Sequence, residues 1–314
     1  MTVWDSDSTV KDAVRATGLS KAARTVRFII GGVFRYLILG FAAAIMVLPF
    51  VDMFIGALRG PADVFSRPPR YFPSVPQWHN YIRVFDELPM ARWLVNSIVI
   101  TSVITTIQVI TSAMAGYALA KFDFPGRSGV FRLVMAAQIF PFFLFIIPIF
   151  FILRFVPLLG GNDFFGQGGS GLLGTYAAII LPFTITWYGI FLMRQFCLAI
   201  PDEVLDAARM DGAGELLIFR EIVFPLLRPG VLTLALFAFV YHWNEFIWTM
   251  TVTRSNPELQ TLPVGIFLLS GQFDDLDQKS LQQAALAVSV LPVLIVFLCV
   301  QRYFMVADPR SGID

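Results

Sequence analysis

Charge is scarce in this chain. Asp, Glu, Lys and Arg make up 14% of its 314 residues, where a soluble domain carries roughly 25%. With 57% hydrophobic residues, an ordinary soluble globular domain is excluded. The net charge of +1 offers no bulk field for nucleic acid. Cysteine is nearly missing: Cys197 and Cys299 both lie at or in apolar runs, which excludes a disulfide framework. Histidine is equally sparse. His79 and His242 stand far apart, leaving little material for a histidine metal site. No GxxxxGK[ST] phosphate loop occurs, so any ATP that drives this protein is bound by another chain. The glycine-rich run from Gly160 to Gly171 lacks the lysine and the strand-to-helix setting of such a loop, and reads as a flexible outer loop.

What is abundant is long apolar sequence. A spanning helix needs about 20 apolar residues, and six segments qualify: Val33–Leu58, Leu94–Ala120, Val130–Leu153, Thr175–Met193, Val231–Thr251 and Leu281–Met305. The fold class is therefore an all-α integral membrane protein. Pro292 and the Asn244–Glu245 pair are expected to interrupt the last two spans, and Pro49, Pro141 and Pro148 fall inside earlier ones. The organisation reads as a tail over 1–32, a six-helix domain over 33–305 and a second tail over 306–314. With the N-terminus in the cytoplasm, 15 of the 23 Lys and Arg lie on the inner side, so both termini are expected there. The first apolar run starts too late, and is too long, for a cleavable leader. Residues 1–27 read as a surface amphipathic helix or as a loosely ordered tail.

Between spans four and five lies a polar island of 29 residues, Asp202–Gly230. Lipid gives no hydrophobic reason for it, so it is placed outside the bilayer, on the cytoplasmic side. Pro201 suits a first helical turn, and Asp202, Glu203 and Asp206 put negative charge near its positive end. Gly212 is placed to stop that helix in a left-handed conformation. The reading is a helix over 201–211, a turn, and a second helix over Glu215–Val223. Ala207 and Ala208 leave room for another surface to approach. An amphipathic helix lying on the membrane is the plain alternative.

Asp206-Ala207-Ala208, three residues, Gly212, nine residues and Ile222-Val223-Phe224-Pro225 resemble the EAA loop of ABC importer permeases, E-A-A-x3-G-x9-I-x-L-P, with Asp for Glu and Phe for Leu. Flanking segments are similar to the carbohydrate-type, MalG-like branch: Asn96-Ser97, Gly116-Tyr117-Ala118-Leu119-Ala120-Lys121-Phe122, Arg194-Gln195-Phe196, Trp243-Asn244-Glu245-Phe246, Thr261-Leu262-Pro263-Val264-Gly265 and Gln301-Arg302-Tyr303-Phe304. The resemblance covers about residues 78–306. It implies the type I importer permease fold in the plasma membrane, with a coupling loop at 201–225. It implies a second homologous permease, an ATPase dimer that holds ATP and Mg, an extracytoplasmic solute-binding protein, and a sugar-like solute. No cofactor and no catalysis are expected in this chain itself. The resemblance assigns ATPase docking to Glu203, Asp206, Ala207, Ala208, Asp211 and Gly212, with Arg209 either pairing with a partner carboxylate or left as a solvated charge.

A charge inside a span is a functional candidate by default, which singles out Glu245. With Tyr241, Trp243 and Asn244 it forms an aromatic and polar group suited to a sugar; a structural hydrogen bond between helices, or a gate element, is the alternative. Ser97, Thr101, Thr105, Gln108 and Ser112 share one helical face, and either line the solute path, Gln108 above all, or glue helices together. Asp52 is expected to snorkel or to pair with an arginine. The outer loop Thr253–Ser280, with an acidic tip at Asp274, Asp275 and Asp277, is a contact candidate for the binding protein. A self-contained secondary transporter is the competing class, and would normally show inverted repeats and buried ion-coupling carboxylates.

Overall fold

The computed structural model describes residues 6–60, 63, 66, 70–270 and 276–305. Among them every regular element is helical. The first is α1, Ser6–Ala57, continuous through Pro49. The backbone that precedes Val33 is thus helical from Ser6 and runs unbroken into the first apolar stretch. After it come α2 (Asn80–Glu87), α3 (Met90–Lys121), α4 (Arg127–Ala137), α5 (Ile146–Arg154), α6 (Tyr176–Ile180) and α7 (Trp187–Leu198). The polar island forms α8 (Asp202–Met210) and α9 (Glu215–Ile218), the latter running through a π-helical turn at Phe219–Val223 into a short turn at Phe224–Leu226. The chain ends in α10 (Arg228–Trp243), α11 (Ile247–Thr253), α12 (Leu262–Ser270) and α13 (Leu276–Met305).

Among the described residues three helices are long and apolar enough to cross a membrane unbroken: Phe28–Ala57, Met90–Lys121 and Lys279–Arg302. Three further pairs reach that length only with a bend: 92° between α4 and Phe142–Arg154, 47° between Tyr176–Phe183 and α7, and 77° between Glu215–Leu226 and α10. The expected prolines act unequally. Pro141 stands at the break before the 3-10 turn Phe142–Phe145, whereas Pro292 sits inside α13 without interrupting it, contrary to the sequence expectation. The break expected at Asn244–Glu245 is present, since α10 ends at Trp243 and α11 begins at Ile247.

The pillar of the structure is α3. Its side chains enter all three apolar clusters: Met90 and Trp93 one, Ile100 and Ile104 the next, and Val109, Ala113, Tyr117 and Ala120 the third. Its closest neighbour, α7, is let in by missing side chains. A Cβ on Gly116 would lie 2.6 Å from the Met193 Cβ and 2.7 Å from the Arg194 nitrogen, and one on Gly189 would strike the Ser112 hydroxyl. The polar stripe on α3 is buried in this packing: Ser97 accepts from the Leu262 N–H at 2.8 Å, and Thr101, Gln108 and Ser112 are 5% exposed or less. Asn96 ties the same end to the loop before α12, donating to the carbonyls of Glu258 and Gln260 and accepting from the Tyr176 hydroxyl.

By contrast, α1 is peripheral. Its apolar residues from Phe28 to Phe54 are largely open, with Phe28 84% and Met46 73% exposed, and it packs chiefly on α13. Asp52 pairs with Arg59 at 3.1 Å.

The glycine-rich loop departs from its expected flexibility. Asp163 Oδ1 accepts from the N–H groups of Phe165 and Gln167, each at 2.8 Å. Asn162 is buried and binds four groups: the carbonyls of Arg154 and Val156, the Gly169 N–H and the Arg154 guanidinium. Side-chain amides and carboxylates of this kind replace the ladder that a turn cannot make, so the glycines serve a fixed, folded loop. Of the acidic tip, Asp274 and Asp275 lie outside the described residues.

Candidate functional site

The polar island builds a surface helix on a braced base. Pro201 is extended and α8 starts at Asp202, with Asp202 and Glu203 in its first turn. Gly212, at φ +81°, ends it. The Gly212 N–H bonds to the Arg209 carbonyl and the Ala213 N–H to the Ala208 carbonyl, both at 3.0 Å. This pair of bonds is the Schellman termination, which uses a left-handed glycine to satisfy the last carbonyls. The inner face of the loop is anchored by Leu205, Ile218, Val223 and Leu227, each at most 1% exposed, in the cluster shared with the C-terminal end of α3.

Two polar clamps add to that anchor. Lys121, at the end of α3, donates to Asp202 Oδ1 and to the Ile200 carbonyl, both at 2.6 Å; its ammonium beside Asp202 holds that carboxyl below the usual range. Tyr117, one turn earlier, donates to Glu215 Oε2 at 2.8 Å. Arg209 completes the second clamp, with Nε on Glu215 Oε1 and Nη1 on Asp206 Oδ1, both 2.8 Å. The two carboxylates, Glu215 first, push the Arg209 pKa up. Arg209, for which the sequence offered a partner ion pair or a solvated charge, bridges Asp206 and Glu215 within the chain while its side chain stays 35% exposed. Glu203, Asp206, Ala207, Asp211 and Gly212 stand exposed on α8 and its turn, while Ala208 is half-buried. Bulky apolar groups surround them in the open, Met210 at 88% and Leu216 at 75% exposure. A Cβ on Gly212 would meet nothing within 4 Å, so this glycine is there for its backbone conformation.

Beside the middle of α3, at Gln108, lies a cavity of about 710 Å³. Two helix breaks open onto it: Gln138, Phe140, Pro141 and Phe142 from the α4–α5 bend, and Pro182 to Tyr188 from the bend before α7. Freed carbonyls at such breaks need partners, and inside an apolar phase non-helical backbone survives only when buried in protein or facing a wet cavity. At the break before α7, α3 supplies the partners. Gln108 donates to the Phe183 carbonyl at 2.6 Å and Thr111 to the Thr184 carbonyl at 2.9 Å. The remaining wall comes from α10, including Tyr241 and His242.

The sequence candidates divide around this cavity. Gln108 and Tyr241 line it. Trp243 and Asn244 line a second recess against α12 and α13; Trp243 is buried, donates to the Ser289 carbonyl at 3.2 Å and stacks on Phe239. Glu245 caps α11, accepting from the Trp248 N–H at 2.7 Å, the Thr249 N–H at 3.0 Å and the Thr249 hydroxyl at 2.6 Å. These are local capping bonds to the helix that follows rather than the bond between helices weighed in the sequence reading. Two features escaped that reading. The Tyr117–Glu215 bond joins residues 98 apart, and no spacing rule reaches that far. His242, a polar residue in an apolar run, did carry a signal.

Residues 108–310 match the family of binding-protein-dependent transport system inner membrane components. The arabinooligosaccharide transport permease AraQ of Halalkalibacterium halodurans is 31% identical over 282 residues, 88% of this chain and 95% of its own. The diacetylchitobiose uptake permease NgcG of Streptomyces coelicolor is 29% identical over 260 residues, 83% of this chain and 82% of its own. A crystal structure of a bacterial ABC transporter involved in import of the acidic polysaccharide alginate superposes with a TM-score of 0.72 at 25% identity, covering 88% of this chain and 96% of that one. The helical fold with its bent apolar pairs, and these likenesses over most of the chain, agree: the chain belongs to the family of binding-protein-dependent transport system inner membrane components.

Proposed function

We propose that this permease forms half of the path of an ATP-driven importer for a sugar-like solute, and that α8 docks on its ATPase. The observation that carries the reading is the position of α3, which satisfies the helix break before α7 with Gln108 and Thr111 at an aromatic and polar cavity, and clamps a surface helix with Tyr117 and Lys121. Nine residues separate Gln108 from Tyr117, about 14 Å along a helix, so motion of the surface helix has a short, rigid route to the cavity. Coupling needs contacts that differ between two states, and an exposed helix braced on a span is suited to provide them. Docking falls to Glu203, Asp206, Ala207, Ala208, Arg209, Asp211 and Gly212; Gln108 and Tyr241 lead the solute-path residues, with Trp243, Asn244 and Glu245 shaping the break beside them.

In this reading six spans cross the plasma membrane between the tails 1–32 and 306–314, with both termini and the 201–225 loop in the cytoplasm. The charges of Glu215, Arg220 and Glu221 support a reading in which the Glu215–Leu226 turns lie outside the bilayer. The open apolar face of α1 meets lipid and a second, homologous permease. ATP and Mg bind the ATPase dimer, and an extracytoplasmic binding protein delivers the solute. The names of the relatives and of the superposed transporter supply a first panel of solutes: an arabinooligosaccharide, diacetylchitobiose and alginate.

The test is affinity purification of the tagged chain from its native membrane in mild detergent, followed by reconstitution with the co-expressed binding protein. Recovery of a second permease and a Walker-motif ATPase, with ATP-dependent uptake of a panel sugar, is expected. Recovery of the chain alone, carrying solute on an ion gradient without ATP, overturns the proposal.

A further inference from the structure

Among the described residues that line the cavity, His242 is the side chain that carries a buried polar atom with no partner. It lies in α10, lines the cavity between the two helix breaks, and is 7% exposed. Its Nδ1 has no hydrogen-bond partner, although Gln108, across the same cavity, spends its amide on the Phe183 carbonyl. The imidazole is held by rings alone, with the Phe183 centroid at 4.9 Å and that of Tyr241 at 5.0 Å. Most buried polar side-chain atoms are satisfied within the protein or by water, and an orphan among them requires an explanation. A neutral imidazole offers one donor and one acceptor, the same pair a hydroxyl group offers. The surrounding rings of Trp187, Tyr188 and Tyr241 present faces of the kind that cover the apolar side of a sugar.

We infer that His242 is a specificity-determining residue of the solute path, forming a hydrogen bond with one hydroxyl of a passing sugar while the flanking rings cover its apolar face. This rests on the sugar-import reading above and adds the residue that distinguishes one hydroxyl pattern from another. A buried site built for a hydroxyl disfavours the analogue that lacks it, because its own polar group is then left unpaired.

The test uses the native complex with its binding protein in proteoliposomes, the panel sugar that the wild type carries, and the monodeoxy analogues of that sugar. The wild type is expected to carry one analogue about five- to tenfold more slowly than the parent, the effect of one neutral hydrogen bond. His242→Leu should carry parent and analogue at equal rates, and His242→Gln should retain part of the difference. A packing defect would slow both sugars together and leave their ratio unchanged. Unaltered discrimination at every position in His242→Leu overturns the inference while leaving the import reading intact. If the wild type carries no panel sugar, the import reading fails and takes this assignment with it. Should His242→Leu not assemble, the wild type decides: saturating sugar should slow carbethoxylation of His242 by diethylpyrocarbonate severalfold, and an unchanged rate overturns the assignment.

Discussion

The hydroxyl of Tyr117 sits 2.8 Å from Glu215 Oε2, joining the most central apolar helix to the turn that follows the exposed surface helix. Because the other oxygen of Glu215 accepts from Arg209 at 2.8 Å, the phenol, the carboxylate and the guanidinium form a single brace. A hydrogen bond to a charged group in a half-exposed site is worth about 1 to 2 kcal/mol. Tyr117→Phe should therefore raise hydrogen exchange over residues 202–218 by roughly five- to twentyfold while exchange within α3 holds. Equal protection in the variant and the wild type would show that the apolar anchor alone fixes the loop.

Gly212 tests the docking turn. Proline fixes φ near −65° and removes the N–H, whereas Gly212 needs φ +81° and bonds to the Arg209 carbonyl. Gly212→Pro, and independently Asp206→Lys, should leave the chain inserted yet reduce ATP-driven uptake by more than about tenfold, a loss of over roughly 1.4 kcal/mol in coupling. Uptake and ATPase turnover measured together would show hydrolysis without transport; coupled transport in both variants removes the docking assignment.

The α3–α7 crossing predicts a steric effect. Overpacking a close contact costs about 1 to 3 kcal/mol, and the atoms facing Gly116 belong partly to the Arg194 backbone, which cannot swing aside. Gly116→Val should lower the thermal midpoint of the detergent-solubilised chain by several degrees, while Gly126→Ala, where nothing lies within 4 Å, should shift it only through the strain of its positive φ.

Glu245 separates a cap from a solute contact. It accepts three hydrogen bonds at the start of α11, and loss of a capping side chain costs about 0.5 to 2 kcal/mol. Glu245→Ala should destabilise the protein by that amount and slow every transported sugar in proportion. A change in selectivity among sugars would instead make Glu245 a direct contact.

Acid should loosen the loop around Asp63. The hydroxyl and N–H of Ser74, at 2.7 and 3.0 Å, hold the Asp63 carboxyl below its usual 3.8. A depressed carboxyl contributes stability above its unfolded pKa and loses it as pH falls through the folded value. Exchange of the 70–80 amides, followed from about pH 6 down to about pH 2.5, should rise only at the acid end. Ser74→Ala should move that rise to higher pH; an unmoved profile would place the control of the loop elsewhere.

Much of this architecture is written locally. Apolar runs of spanning length fix helices, because a backbone without water must bond to itself. Pro201, the acidic first turn and Gly212 placed α8 and its glycine stop within a residue of where they are, since a helix end depends on a few neighbouring dihedrals. Tertiary structure decided the rest. Pro141 stands at a break and Pro292 does not break α13, because a freed carbonyl follows whichever neighbour satisfies it. Gln108 and Thr111 serve carbonyls 75 and 73 residues away, and Arg209 turned inward to Glu215 rather than remaining free. Glu245 had the sequence signature of an intramembrane charge and the tertiary role of a cap, while His242, read only as poor metal material, became the unpaired group in the cavity wall. Local propensity and burial are properties of a segment, but the pairing of a buried polar atom is a property of what other segments bring to it, and only the assembled fold supplies that.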